Sequence, residues 1–208
     1  MMTNTKLSKD PYNIIITGVG GQGNVMASRI LANMLVQKGY YVTIGESFGA
    51  SQRGGSVMSH LRVSEGSYWS PQIPRGMADV VVSLEPTEGL RVLMEYGNPQ
   101  VKILSNTRPV RPPIVIAGDM GYPSLEEIKK AAAELASDVW FINATDKAVK
   151  MGNPILGNII MLGALSGVTP LPLDKGNFKE IISKSMTSDK IDINLKAYDL
   201  GDQIVKQT

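Results

Sequence analysis

The 208-residue chain has no cysteine and a single histidine, His60. The first absence excludes disulfides, a thiol nucleophile and cysteine-ligated iron–sulfur clusters within this polypeptide. The second would leave carboxylates to supply nearly every ligand of a zinc site, which argues against one. An excess of one charge is also missing: 21 Lys and Arg stand against 19 Asp and Glu, a net charge of +2. That is not the polyanion footprint of a nucleic-acid binder, and one Arg-Gly-Gly at 53–55 does not make it so. No apolar run reaches the length of a membrane span. The start, MMTNTKLSKDP, lacks the apolar segment of a signal peptide. It reads as a polar, mobile leader over residues 1–11. The expectation is a cytoplasmic protein that binds neither nucleic acid nor membrane.

What is present is enough for one sizeable core: 43% of the residues are hydrophobic, and the length suits a single domain over residues 12–208. Strand and helix patterns alternate. Residues 12–17 form a β-branched run that ends at Gly18 and reads as a buried parallel strand. Val25, Met26, Ile30, Leu31, Met34 and Leu35 then recur at helical spacing, and Gly39 suits the stop. Residues 40–44 are the next strand, which predicts a βαβ crossover. Residues 56–63 alternate, with Val57, Leu61 and Val63 on one face and Met58, His60 and Arg62 on the other. That second face is mixed and suits a surface covered by something else. Gly66 turns toward Tyr68-Trp69, suggesting a hairpin. Further strands are expected at 79–84, 101–104 and 139–142, with a short edge strand at 114–117. Helices are expected from Pro86 to about Tyr96, after Ser124 as N-cap, over 144–150, 153–168, 178–186 and 195–205. Gly157 and Gly163 are expected to let the 153–168 helix pack closely. The pattern predicts a single doubly wound α/β domain, Rossmann-like, with a mostly parallel sheet and a helical C-terminal tail.

Gly18, Gly20 and Gly23 fit G-x-G-x-x-G between a strand and a helix, with Gly21 and Gln22 inside the turn. Such a turn lets an anion approach backbone N–H groups at the helix start. It is equally a turn that only packs helix on strand. Glu46 falls about where a ribose-binding acid would sit, so an independent oxidoreductase binding NAD or FAD is one alternative reading, and a non-catalytic binding module of the same fold is another. Gly45-Glu46-Ser47-Phe48-Gly49 matches G-x-S-x-G, but it is not a nucleophile elbow. No helix follows the serine at once, and no acid lies between Ser47 and the lone histidine. Gln52-Arg53-Gly54-Gly55-Ser56 is more informative. Arginine among glycines can offer its planar fork to a carboxylate, a phosphate or a partner's backbone. Both glycine-rich loops follow carboxyl ends of strands, the edge where open α/β sheets bind ligands.

The segments NIIITGVGGQGNVMASRILA, ESFGASQRGGSVMSHLRV, YWSPQIPRGMADVVVSLEPTEGLR and GNIIMLGAL carry a family resemblance. Together they resemble the gamma-type subunit of 2-oxoacid:ferredoxin oxidoreductases, in particular the indolepyruvate-type beta subunit. The resemblance implies a heteromeric enzyme that decarboxylates a 2-oxo acid, indolepyruvate or a related aryl pyruvate, on thiamine diphosphate with magnesium. The acyl group passes to coenzyme A, and electrons pass through iron–sulfur clusters to ferredoxin. It also implies that those cofactors belong to partner chains, none being held by this chain alone. Gly118-Asp119-Met120 and Gly201-Asp202-Gln203 both fall short of a magnesium–diphosphate motif. On this view Gly18, Gly20, Gly21, Gln22 and Gly23, with Glu46, Ser47, Gln52, Arg53, Gly54, Gly55 and Ser56, face the thiamine-bearing subunit. Gln22, Glu46 and Gln52 would bond partner backbone, and Arg53 would steady an anion. No residue of this chain is expected to be catalytic, and isolated copies could pair as homodimers through the partner-facing surface. Phe48-Gly49-Ala50-Ser51 and Asn24 depart from the residues common in that family, which leaves the 2-oxo acid open.

Overall fold

The computed structural model describes residues 6–49 and 55–207. The elements run β1 (Tyr12–Val19), α1 (Asn24–Gln37), β2 (Tyr41–Phe48), β3 (Ser56–Ser64), β4 (Val80–Ser83), α2 (Pro86–Tyr96), β5 (Lys102–Asn106), α3 (Pro113–Ile116), α4 (Leu125–Leu135), β6 (Asp138–Ile142), α5 (Ala144–Lys150), α6 (Gly157–Val168), α7 (Lys175–Ser183) and α8 (Ser188–Lys206). Among the described residues they form one six-stranded sheet, ordered β2-β3-β1-β4-β5-β6. The pairs β1–β4, β4–β5 and β5–β6 are parallel, whereas β3 runs antiparallel to both β1 and β2.

Helices cover both faces, as a doubly wound sheet requires. The central strand β1 is buried throughout. Its Ile14 and Ile16 enter a core shared with α1, α5, α6, α7 and α8, while Ile15 points to a second core under α2 and α4. Period-2 alternation along an aliphatic strand produces this division. Each fully buried aliphatic side chain there contributes about 1.5–3 kcal/mol.

Local signals set the helix starts. Glu85 caps α2 by accepting from Glu88 N, with Pro86 in the first turn. Ser124 and Glu127 form a reciprocal capping box at α4, satisfying donors that would otherwise be orphaned.

Several expectations are corrected. β1 and β2 are parallel but not neighbours, because β3 lies between them, so the crossover through α1 spans an intervening strand. Residues 67–70 form no hairpin. Instead Trp69 lies under the Arg62 guanidinium, 5.0 Å from ring centroid to Cζ, and Tyr68 meets Tyr41 edge-on. The aliphatic run at 114–117 is not a strand but part of the helical turn α3, which Pro113 favours at its first position. The mixed face of β3 is covered by this chain itself: His60 and Arg62 are buried, and Ile73 N donates to His60 Nδ1 at 3.3 Å. In the described part of the leader, Leu7 N donates to Glu65, and Lys9 Nζ bonds Asp79 at 2.8 Å.

The C-terminal helices are part of the core. Phe178 on α7 is fully buried and stacks on Tyr198 of α8, with centroids 4.5 Å apart. α6 and α8 meet backbone to backbone. A Cβ at Gly163 would stand 1.9 Å from the Tyr198 carbonyl oxygen, and one at Gly201 would stand 1.9 Å from that of Ile160. The expected close packing thus occurs at Gly163, whereas a Cβ at Gly157 would find its nearest neighbour at an ordinary 3.7 Å.

Candidate functional site

The glycine turn after β1 is held by side chains that reach it from afar in sequence. Gln22 Oε1 accepts from Val19 N at 2.9 Å, and Gln22 Nε2 donates to the Leu84 carbonyl at 2.8 Å. Gln22 thus fastens the turn to the end of β4. Gly23, the N-cap of α1, has φ of 84°, a conformation that favours glycine. A Cβ there would also stand 2.1 Å from Asn158 Nδ2. Asn158, on α6, donates through that nitrogen to the carbonyls of Gln22 and Gly23, at 3.3 Å each.

The second loop returns beside this turn. Gly20 N donates to Gly55 O at 2.8 Å. Ser56 Oγ donates to Glu88 Oε2 at 2.6 Å, and Glu88 also pairs with Arg91 at 3.4 Å. Of the residues predicted from sequence, Gly18, Gly20, Gly21, Gln22, Gly23, Gly55 and Ser56 are therefore gathered on one edge. Glu46 and Ser47 are exposed on the edge strand β2. Glu46 registers with Ser59, and Ser59 with Ile16. It therefore sits two strand spacings from β1, roughly 10 Å, rather than beside the glycine turn as a ribose-binding acid requires. Gln52, Arg53 and Gly54 lie outside the described residues.

A cleft of about 250 Å³ opens next to the glycine turn. It lies above the ends of β1, β4 and β5, and it marks the switch point of the sheet. From β1 the chain crosses by α1 toward β2. From β4 it crosses by α2 the opposite way, toward β5, on the other face. Open α/β sheets bind ligands at this kind of crevice. The Leu84 carbonyl anchors two of its sides, accepting from Gln22 Nε2 and, at 3.0 Å, from Asn106 Nδ2. Asn106 Oδ1 in turn accepts from Ala144 N and Thr145 N at the start of α5. Arg108 lines the rim and pairs with Asp146 at 3.0 Å.

Asn158 is the most informative cleft residue. It is only 2% exposed, yet its Oδ1 has no hydrogen-bond partner among the described residues. An orphaned buried acceptor beside an open space suits a ligand that brings an N–H or O–H donor. Arg108, Asn106 and Asn158 were not predicted from sequence as site residues. Each is ordinary alone, and they lie up to 52 positions apart. The one available signal was Asn158 itself, a polar residue inside the apolar GNIIMLGAL segment.

This donor set fits an anionic, hydrogen-bonding ligand. It does not fit a magnesium–diphosphate group, because such a site needs at least one carboxylate on the metal and, among the described residues, no Asp or Glu lines the cleft. Nor is any described helix long and apolar enough to cross a membrane.

Comparison with known proteins agrees with this architecture. Residues 13–204 match the family model described as pyruvate ferredoxin/flavodoxin oxidoreductase. The chain is 39% identical to the indolepyruvate oxidoreductase subunit IorB of Pyrococcus horikoshii, covering 94% of this chain and 96% of that one. Its fold matches the crystal structure of pyruvate oxidoreductase subunit PORC from Thermotoga maritima, with a TM-score of 0.71 at 25% identity, over 94% and 97% of the two chains. It also matches 2-oxoglutarate:ferredoxin oxidoreductase from Magnetococcus marinus, with a TM-score of 0.73 at 20% identity. That match covers 97% of this chain and 32% of the larger one. With its glycine-loop edge, mixed sheet and near full-length match, the chain belongs to the pyruvate ferredoxin/flavodoxin oxidoreductase family.

Proposed function

We infer that the chain is the accessory subunit of a 2-oxoacid:ferredoxin oxidoreductase acting on indolepyruvate or a related aryl pyruvate. It completes, against a thiamine- and iron–sulfur-bearing partner, the pocket in which the acyl group reaches coenzyme A. The observation that carries this reading is the cleft at the switch point, lined by Arg108 and by Asn158, whose buried Oδ1 has no hydrogen-bond partner among the described residues. The protein from Magnetococcus marinus binds 2-oxoglutarate, coenzyme A and succinyl-CoA, and IorB of Pyrococcus horikoshii is an indolepyruvate oxidoreductase subunit. Both support the reading.

In this role the chain binds and orients. Arg108 holds a phosphate of coenzyme A, since a guanidinium matches phosphate geometry. Asn158 Oδ1 accepts an amide N–H from the same ligand. Gly21, around which a Cβ would meet nothing within 4 Å, leaves room for close approach. Coenzyme A, when bound, supplies the thiol that receives the acyl group. Gly18, Gly20, Gly23, Gly55 and Ser56 form the shelf that meets the partner; Glu46, Ser47, Gln52 and Gly54 also contact it, and Arg53 steadies an anion. The thiamine diphosphate, magnesium and clusters stay with the partner, and electrons leave to ferredoxin in the cytoplasm. Alone, the chain is inactive and pairs with itself through the same shelf.

The test is reconstitution. The two subunits together should reduce ferredoxin only with a 2-oxo acid and coenzyme A, with aryl pyruvates leading a substrate panel. Arg53→Ala and Arg108→Ala should each weaken this activity. Full activity of the partner without this chain, or turnover by this chain alone, refutes the reading.

A further inference from the structure

Glu85 is 1% exposed and sits where β4 gives way to α2. Capping α2 occupies half of its carboxylate. Oε2 accepts from Glu88 N at 2.9 Å and from Thr87 Oγ1 at 2.7 Å. The other oxygen looks away from the helix, to the long segment between β5 and α4. Oε1 accepts from Val110 N at 3.2 Å and from the Tyr122 hydroxyl. All four acceptor positions of one buried carboxylate are thereby filled. The Tyr122 hydroxyl is held well above its ordinary range, by burial first and then by its bond to Glu85.

The two donors on Oε1 stand at the two feet of one loop. Between them lie α3 and an apolar tip, with Ile114, Ile116 and Met120 exposed at 46%, 74% and 58%. Hydrogen bonds within the tip run between near neighbours, such as Ile116 N to Pro112 O and Asp119 N to Ile114 O. The first foot is also a wall of the switch-point cleft, which Arg108 and Val110 line.

We propose that Glu85 is a positioning residue for this cleft: its single Oε1 clasps both feet of the 110–122 loop and so fixes the wall that carries Arg108. The proposal rests on the functional reading above. A cap alone needs only Oε2. The second oxygen, spent on a backbone N–H and a phenol from 25 and 37 residues away, does nothing for α2. It sets where the chain lies as it leaves β5. The charge-assisted bonds concerned are the strong kind.

The experiment compares Tyr122→Phe, Glu85→Gln and Arg108→Ala in the full chain, alone and reconstituted with the thiamine-bearing subunit. Tyr122→Phe removes one donor and no packing volume of note, so it keeps the fold. Glu85→Gln offers an amide where two donors need an acceptor. Expected in the free chain is roughly tenfold faster amide exchange across residues 110–122 for both clasp variants, about the worth of one hydrogen bond to a charged acceptor. In the complex, KM for coenzyme A should rise by a similar factor with kcat kept. Arg108→Ala should raise KM without changing exchange. Unchanged exchange in both clasp variants overturns the clasp. Faster exchange with unchanged KM, while Arg108→Ala raises KM, overturns the positioning role and leaves the function standing. A KM that none of the three moves overturns the cleft assignment and the proposal with it.

Discussion

Gly20 and Gly55 are joined by one backbone hydrogen bond, N to O at 2.8 Å. The two glycine loops therefore share an edge without any side chain at the joint. The side-chain tie lies one residue on, where Ser56 Oγ meets the nearly buried Glu88. Ser56→Ala leaves that oxygen of Glu88 short of a donor, at about 1–2 kcal/mol. If the glycine-loop edge meets the partner as proposed, affinity for the partner should drop roughly tenfold by titration calorimetry, with the melting temperature shifting by only a few degrees.

Asn158 serves both the turn and the cleft. Asn158→Ala loses two bonds to the Gln22 and Gly23 carbonyls. It should cost about 1–3 kcal/mol of stability in urea denaturation. Asn158→Asp, which keeps the shape but cannot donate to those carbonyls, should cost at least as much.

The contact between α6 and α8 leaves no room for a methyl group. Gly163→Ala and Gly201→Ala should each destabilise by about 3 kcal/mol or more, because backbone must move on both sides. Gly157→Ala is the control. Its new Cβ meets only ordinary contacts, and helix propensity favours it by up to about 1 kcal/mol. Thermal unfolding of the three variants decides this.

His60 is kept below its ordinary value of 6.5, by burial first, with Glu95 pulling the other way. Its Nδ1 already accepts from Ile73 N, and it lies edge-on to Tyr96 at 5.1 Å. Below about pH 6.5 the unfolded chain takes up a proton that the folded chain refuses, so stability falls as pH falls. One such group gives a slope of at most about 1.4 kcal/mol per pH unit. His60→Gln, which can still accept from Ile73 N, should flatten the slope between pH 7.5 and 5.5 relative to the parent.

The elements were legible where the signal is local. Glu85-Pro86 and Ser124 with Glu127 announce α2 and α4 within four residues, and the aliphatic run of β1 could hardly be anything but a buried strand. The lateral order was not legible. Alternation along β3 gave its two faces, but nothing local says that it pairs antiparallel between β1 and β2. For that reason Glu46 looked closer to the glycine turn than it is. The run Ile114-Val115-Ile116 looked like a strand by composition, while Pro113 and Gly118, with φ of 87°, confine it to a single turn. The spacing starts α8 at 195, seven residues late, because its first turns from Ser188 are largely polar. The site was half legible. Motifs flagged the glycine loops, but the cleft is built from Asn106, Arg108 and Asn158, which only the folded sheet brings together.

The Gly163 and Gly201 contacts also bear on how small this protein can be made. Two helices whose main chains touch leave no side-chain layer to be re-covered by solvent or by a substitute residue. Deleting the 19 residues of α8 would bare a stripe of polypeptide amides and carbonyls along α6, together with Phe178. A shortened version should accumulate as insoluble material, and the stretch that began as a tail is instead a keel.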